Sequence, residues 1–117
     1  MDDFIVLSDE RGGNVLRHIY RWWKMRKAAD VFITGKCYSS ATIFLSLPGA
    51  VVSEDADIGF HGMGIGKIPL PFFAMFVLAP FYKRGIRGPF IRRWQFIPPS
   101  RIHRISGSDY IKLTGEA

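Results

Sequence analysis

The chain has little cysteine: Cys37 is alone among 117 residues, so no disulfide can form within it and packing must hold the fold. It also lacks a long apolar run. The best candidate, Ile68 to Tyr82, is shorter than the roughly 20 residues a membrane-spanning helix needs and is interrupted by Pro69, Pro71 and Pro80. The start, Met1-Asp2-Asp3, is acidic where a secretory signal would be basic and then apolar, so the expected location is the cytoplasm. There are no internal repeats. Acidic residues are few, 10 against 16 lysines and arginines, giving a formal charge of +6. The cations cluster on Arg17, Arg21, Lys24, Arg26 and Lys27, and again from Lys83 to Arg104. Such patches suit anionic lipid or an acidic partner, but no nucleic-acid-binding motif accompanies them, so specific nucleic-acid binding is not expected.

What is present is enough apolar material, 48%, for one domain with its own core. The order of elements reads strand, helix, strand, helix, strand, helix, which favours an α/β fold with parallel strands. Phe4 to Leu7 is a short apolar strand, and Arg11-Gly12-Gly13 a turn, with Asn14 as a helix cap. Val15, Leu16, Ile19, Tyr20, Trp22 and Trp23 recur at helical spacing and predict a helix from Val15 to about Ala29, with basic residues on its other face. Beyond His61, Gly62 to Gly66 reads as a flexible loop. Apolar helical material follows, broken near Pro80 and at Gly85 to Pro89, then a short helix from Phe90 to Phe96.

The segment Gly35 to Gly62 carries the chemistry. Val31 to Thr34 is a β-branched and aromatic run closed by Gly35, which predicts a buried strand entering a tight turn. Ser39, Ser40 and Thr42 are helix-start residues, and Ala41, Ile43, Phe44, Leu45 and Leu47 make an apolar helix body ended by Pro48-Gly49. Ser39 then occupies a strand-to-helix turn. A hydroxyl there faces free backbone N–H groups and the positive end of a helix, which is what an acyl-transfer nucleophile and its oxyanion need. His61 follows a second short strand, Ile58 to Phe60.

Three motifs in order, and a tail segment after them, resemble the Clp-protease/crotonase-like superfamily, in particular the Clp proteolytic subunit and signal-peptide-peptidase-like serine peptidases. Leu7 to Val15, LSDERGGNV, is similar to the strand and double-glycine turn that supplies part of the oxyanion hole. Gly35 to Ala41, GKCYSSA, resembles the Gly-x-x-x-Ser turn and carries the nucleophile onto Ser39. Asp57 to His61, DIGFH, resembles the strand that ends in the catalytic histidine. The tail Ser108 to Ala117, SDYIKLTGEA, looks like the segment holding the triad aspartate, which falls on Asp109. The resemblance implies a partial ββα superhelix of parallel strands with flanking helices, spanning residues 1–117 as a single domain without the family's first strands and last segment. It also implies a homo-oligomer, a polypeptide substrate and no cofactor or metal. After His61 the chain departs from the peptidase pattern, with GMGIGK in place of a Gln-Pro-like sequence.

The expected activity is that of a serine-type endopeptidase with Ser39, His61 and Asp109 as triad, and the backbone N–H groups of Gly13 and Ser40 as oxyanion hole. Ser39 alone is equally a helix cap, and Asp109 alone an N-cap residue. His18, on the basic face of the helix, and His103, among arginines, compete with His61, but cationic neighbours oppose formation of an imidazolium. Cys37 is a weaker nucleophile candidate, better suited to packing. Two other functions fit the residues. One is acyl-CoA chemistry as in crotonases, which needs an acid near the oxyanion hole and finds only Glu54 and Asp55 on a loop. The other is a non-catalytic protein-binding or membrane-surface module that uses the basic patches and Ile68 to Tyr82.

Overall fold

The computed structural model describes residues 4–12, 14–62, 64–65, 68–69, 76–98 and 101–115. Strand β1 (Phe4–Glu10) leads through helix α1 (Val15–Met25) to β2 (Asp30–Tyr38), which lies parallel to β1. Asn14 caps α1 by accepting a hydrogen bond from Arg17 N at 3.1 Å on its side-chain oxygen. A 3-10 helix (Ser39–Ser46) follows, then β3 (Ala50–Val52) and β4 (Asp57–Phe60), both parallel to β2 and on the side away from β1. The described chain continues with a two-stranded ladder of β5 (Gly64–Ile65) and β6 (Ile68–Pro69), a 3-10 turn (Ala79–Phe81), helix α2 (Arg84–Arg92) and a further 3-10 turn (Trp94–Phe96). It ends in β7 (His103–Ser106) and helix α3 (Gly107–Thr114).

The result is an α/β domain with a mixed sheet rather than the all-parallel one expected, because β7 returns antiparallel to β4 with His103 beside Phe60 and Ser106 beside Asp57. Local expectations also change. Within Gly62 to Gly66, expected as a flexible loop, Gly64 and Ile65 pair with β6. β2 does not turn at Gly35 but runs on to Tyr38, absorbing a register shift against β1 between Ser8 and Glu10 where Asp9 has φ +56°. The apolar segment after Tyr38 winds as a 3-10 helix, not an α-helix, with Ser40 to Leu45 all buried. Gly85 to Pro89, expected as a break, lies inside α2, where burial of Ile86 and Phe90 outweighs the lost hydrogen bond at Pro89.

Leu7, Val31, Ile33, Val52 and Ile58 from the sheet meet Phe44, Leu45 and Leu47 of the 3-10 helix in one buried cluster that continues into Phe60, Tyr82, Phe90 and Trp94. Phe60 is the hinge of this aromatic group: its ring stacks on Trp94 at 4.8 Å and meets Tyr82 edge-on at 5.5 Å. Leu78, Ala79 and Tyr82 therefore face inward, and of the segment expected as a membrane contact Phe76 remains exposed, while residues 70–75 lie outside the described residues. Among the described residues no helix is long and apolar enough to cross a membrane.

Candidate active site

β2 and β4 run side by side with Tyr38 beside Gly59, and Ser39 and His61 are each the first residue past their strand. Both therefore sit at the carboxyl end of the sheet, on neighbouring strands about 4.8 Å apart. Among the described residues no hydrogen bond joins their side chains.

Ser39 has φ +60°, a left-handed backbone that costs an L-residue roughly 1–2 kcal/mol. Two interactions hold it there. The hydroxyl of Thr42 donates to Ser39 O at 2.6 Å. Since that uses its only hydrogen, the Tyr82 hydroxyl, 2.6 Å from Thr42 Oγ1, must donate to it in turn. Tyr82 is enclosed in the core, and burial raises its phenol above the ordinary range, so the relay stays protonated. The sharp turn leaves the Ser39 side chain half-buried and turned to the β1 side of β2, against Gly12 and away from β4 and His61, so the two side chains do not face each other as a nucleophile and its base would: a Cβ at Gly12 would lie 2.8 Å from Ser39 Oγ.

Ser40 takes the opposite path. The whole residue is 1% exposed and its Oγ lies 2.5 Å from Nδ1 of His18, itself 6% exposed on the inner face of α1. Burial first, and then the nearby Arg21 guanidinium, lowers the His18 pKa, so its ring is neutral. Arg21 is in turn engaged by Glu10 at the end of β1, at 2.6 Å, and lies 4.9 Å over the Phe44 ring. His18, expected on the basic face of the helix, lies instead on its inner face, because Val15, Ile19 and Trp22 around it pack on the core; its i+3 spacing from Val15 and i+4 spacing to Trp22 was the signal for the pair with Ser40. The pair is sealed from substrate and acts as a pin between α1 and the turn. Burial pushes the Cys37 thiol up to about 12, so it is a packed, inert group.

His61 is half-buried, with Nδ1 2.6 Å from Gly62 O. Gly62 N donates to Ile97 O at 2.8 Å, and a Cβ at Gly62 would lie 1.8 Å from Gln95 O, so only glycine allows this approach to the Trp94–Phe96 turn. His103, beside Phe60 on β7, is instead stacked on Trp94 at 4.7 Å.

Asp109 is not brought to His61. It lies in the first turn of α3, its N–H donating to the Ser106 hydroxyl at 3.0 Å, and Ser106 pairs with Asp57 at the start of β4. Four residues of strand, about 13 Å, separate that end from His61. Asp109 lines an open hollow there with Asp55, Asp57 and Arg104. Glu54 and Asp55 share this far end, so neither is an acid near the proposed oxyanion site. Asp57 is committed to structure: Arg104 donates to it at 3.0 and 2.6 Å and Tyr38 Oη donates as well, and the Arg104 contact, the leading cause, lowers its pKa. Gly13 lies outside the described residues. Among the described residues no group of three or more His, Cys, Asp or Glu is gathered as a metal site. The chain matches no model of a known protein family and no curated protein.

Proposed function

We propose that this chain is a serine hydrolase of the endopeptidase type, with a fold of the Clp/crotonase-like kind that its motifs resemble. The observation that carries the reading is the conformation of Ser39: a half-buried serine in left-handed backbone at a strand-to-helix turn, packed against a glycine that leaves room for its side chain. Backbone strain of this sort persists only where surrounding contacts over-determine it, and here both the Tyr82–Thr42 relay and the Ser40–His18 pin do so.

With the Ser39 side chain rotated from Gly12 toward the β4 side, its Oγ attacks the substrate carbonyl carbon while His61 takes its proton and returns it to the leaving amine. The acyl-serine ester that remains is released by water activated through the same ring. Gly13 N–H is the expected oxyanion donor; Ser40, expected as the other, is 1% exposed and does not offer its N–H to a substrate, which lowers the turnover expected. The orienting task assigned to Asp109 passes to a main-chain carbonyl. Nδ1–H of His61 donates to Gly62 O, which leaves the Nε2 lone pair as base. A dyad with a neutral acceptor stabilises the imidazolium less than a carboxylate would, and a modest turnover is expected.

A fluorophosphonate probe tests this. Labelling of the wild-type chain that maps to Ser39, persists in Ser40→Ala, and is lost in Ser39→Ala and His61→Ala supports the reading. Absence of labelling and of ester hydrolysis in the folded wild-type chain removes it.

A further inference from the structure

Helix α1 has two apolar faces, and the core uses one. Val15, Ile19, Trp22 and Met25 pack inward around the buried His18. Leu16, Tyr20 and Trp23, spaced i, i+4, i+7, are 76%, 59% and 56% exposed and form a stripe on the outer side. Cations border it: Arg17 and Lys24 are exposed beside it, the Lys24 ammonium lies 5.5 Å over the Tyr20 ring, and the Arg26 guanidinium 4.1 Å over Trp23. No acidic residue occurs between Val15 and Lys27.

We propose that this outer face of α1 docks on an anionic lipid surface, with Leu16, Tyr20 and Trp23 entering the headgroup–acyl boundary and Arg17, Lys24, Arg26 and Lys27 meeting phosphates. Two features choose lipid over other acidic partners. The face is the convex side of a helix about 16 Å long, without a groove to take a peptide. It also combines a bulky aliphatic with a tyrosine and a tryptophan, whose amphipathic rings favour the interfacial layer, whereas nucleic acid would engage the cations and leave Leu16 in water. The aromatic–cation pairs suit the same layer, since each cation can extend from its ring to a headgroup while the ring sinks. Each such cation near an anionic leaflet strengthens partitioning about fivefold. This surface is separate from Ile68 to Tyr82, whose described part is mostly core.

The test is flotation of the full chain with vesicles of phosphatidylcholine alone and of phosphatidylcholine with 30% phosphatidylserine. Two variants accompany it, Leu16→Ser/Tyr20→Ser/Trp23→Ser and Arg17→Glu/Lys24→Glu, both confirmed folded by circular dichroism. Binding to the anionic vesicles alone, weakened at least tenfold in each variant, supports the proposal. If either substitution set unfolds the chain, the corresponding single changes Trp23→Ser and Lys24→Glu are read for a severalfold loss. Lack of binding to anionic vesicles overturns it, as does binding that both variants retain. Equal binding to heparin that survives the serine variant also overturns it, and marks the patch as a general polyanion site. A dimer in sedimentation that the serine variant abolishes, without vesicle binding, assigns the stripe to self-association instead.

Discussion

Two adjacent serines meet two different fates at the end of β2. Ser40 turns inward to His18, gives up its accessibility, and ties helix α1 to the turn; Ser39 is left half-buried in a backbone it would not choose, its side chain against Gly12 on the side of β2 away from His61. A hydroxyl bonded to a buried neutral imidazole resembles a catalytic pair on paper, yet water and substrate cannot reach it. The comparison teaches that proximity to a histidine marks a structural serine here, and strain with partial access is what singles out Ser39 as the nucleophile proposed.

The sharpest way to break the comparison is to exchange the roles by mutation. Ser39→Ala should lower kcat/KM for an ester or peptide by at least about 10³, whereas Ser40→Ala should retain labelling at temperatures where the fold holds. Ser39→Gly sharpens it further: activity falls equally, but the thermal midpoint should rise or hold, because glycine accepts φ +60° without the penalty. Reversal of the Ser39/Ser40 pattern would shift the assignment by one residue. Next in size, Gly12→Ala forces a Cβ to within 2.6 Å of Ser39 Cβ, and the displaced nucleophile should lose about 100-fold in kcat while binding of a substrate analogue changes little.

A smaller effect belongs to the buried side. Removing either partner strands the other without water, so His18→Ala or Ser40→Ala should cost about 1–3 kcal/mol in denaturant unfolding. The pH dependence has a definite sign. The folded His18 holds its proton less well than the unfolded chain, so its contribution is complete above the ordinary value of 6.5 and is lost as pH falls below that toward the folded value. Thermal midpoints measured between pH 5 and 8 should drop on the acid side, and His18→Gln should flatten that drop. Smallest is Asp109→Asn. Its place at the start of α3 makes it a helix-end charge, worth about 0.3–1 kcal/mol, and hydrolysis should proceed at the wild-type rate. A rate loss of orders of magnitude there would restore the triad reading.

The sequence made the strand–helix–strand opening legible because α1 is amphipathic and Asn14 and the glycines punctuate it. It also located the turn at Ser39 through the helix-start residues that follow β2. It did not reveal that the next helix is 3-10: Ser40 to Leu45 are uniformly buried, so no periodic contrast distinguishes three residues per turn from 3.6. β3, with only three residues, is too short to register as a pattern, and its pairing depends on Val31 to Ile33 being already in place. Asp109 misled because Ser106 and Asp109 have the spacing of a helix start, and that local role is the one the fold uses. His18 and Ser40 are 22 positions apart, and a contact across that separation is set by how α1 packs rather than by any local signal.

The Tyr82–Thr42–Ser39 chain of hydrogen bonds also governs how the molecule can breathe. Because its far end is embedded in the aromatic group of Phe60, Phe90 and Trp94, releasing Ser39 requires disturbing rings packed in the core. Amide hydrogens from Ala41 to Ser46 should then exchange with solvent deuterium only at the slow rate of whole-molecule opening.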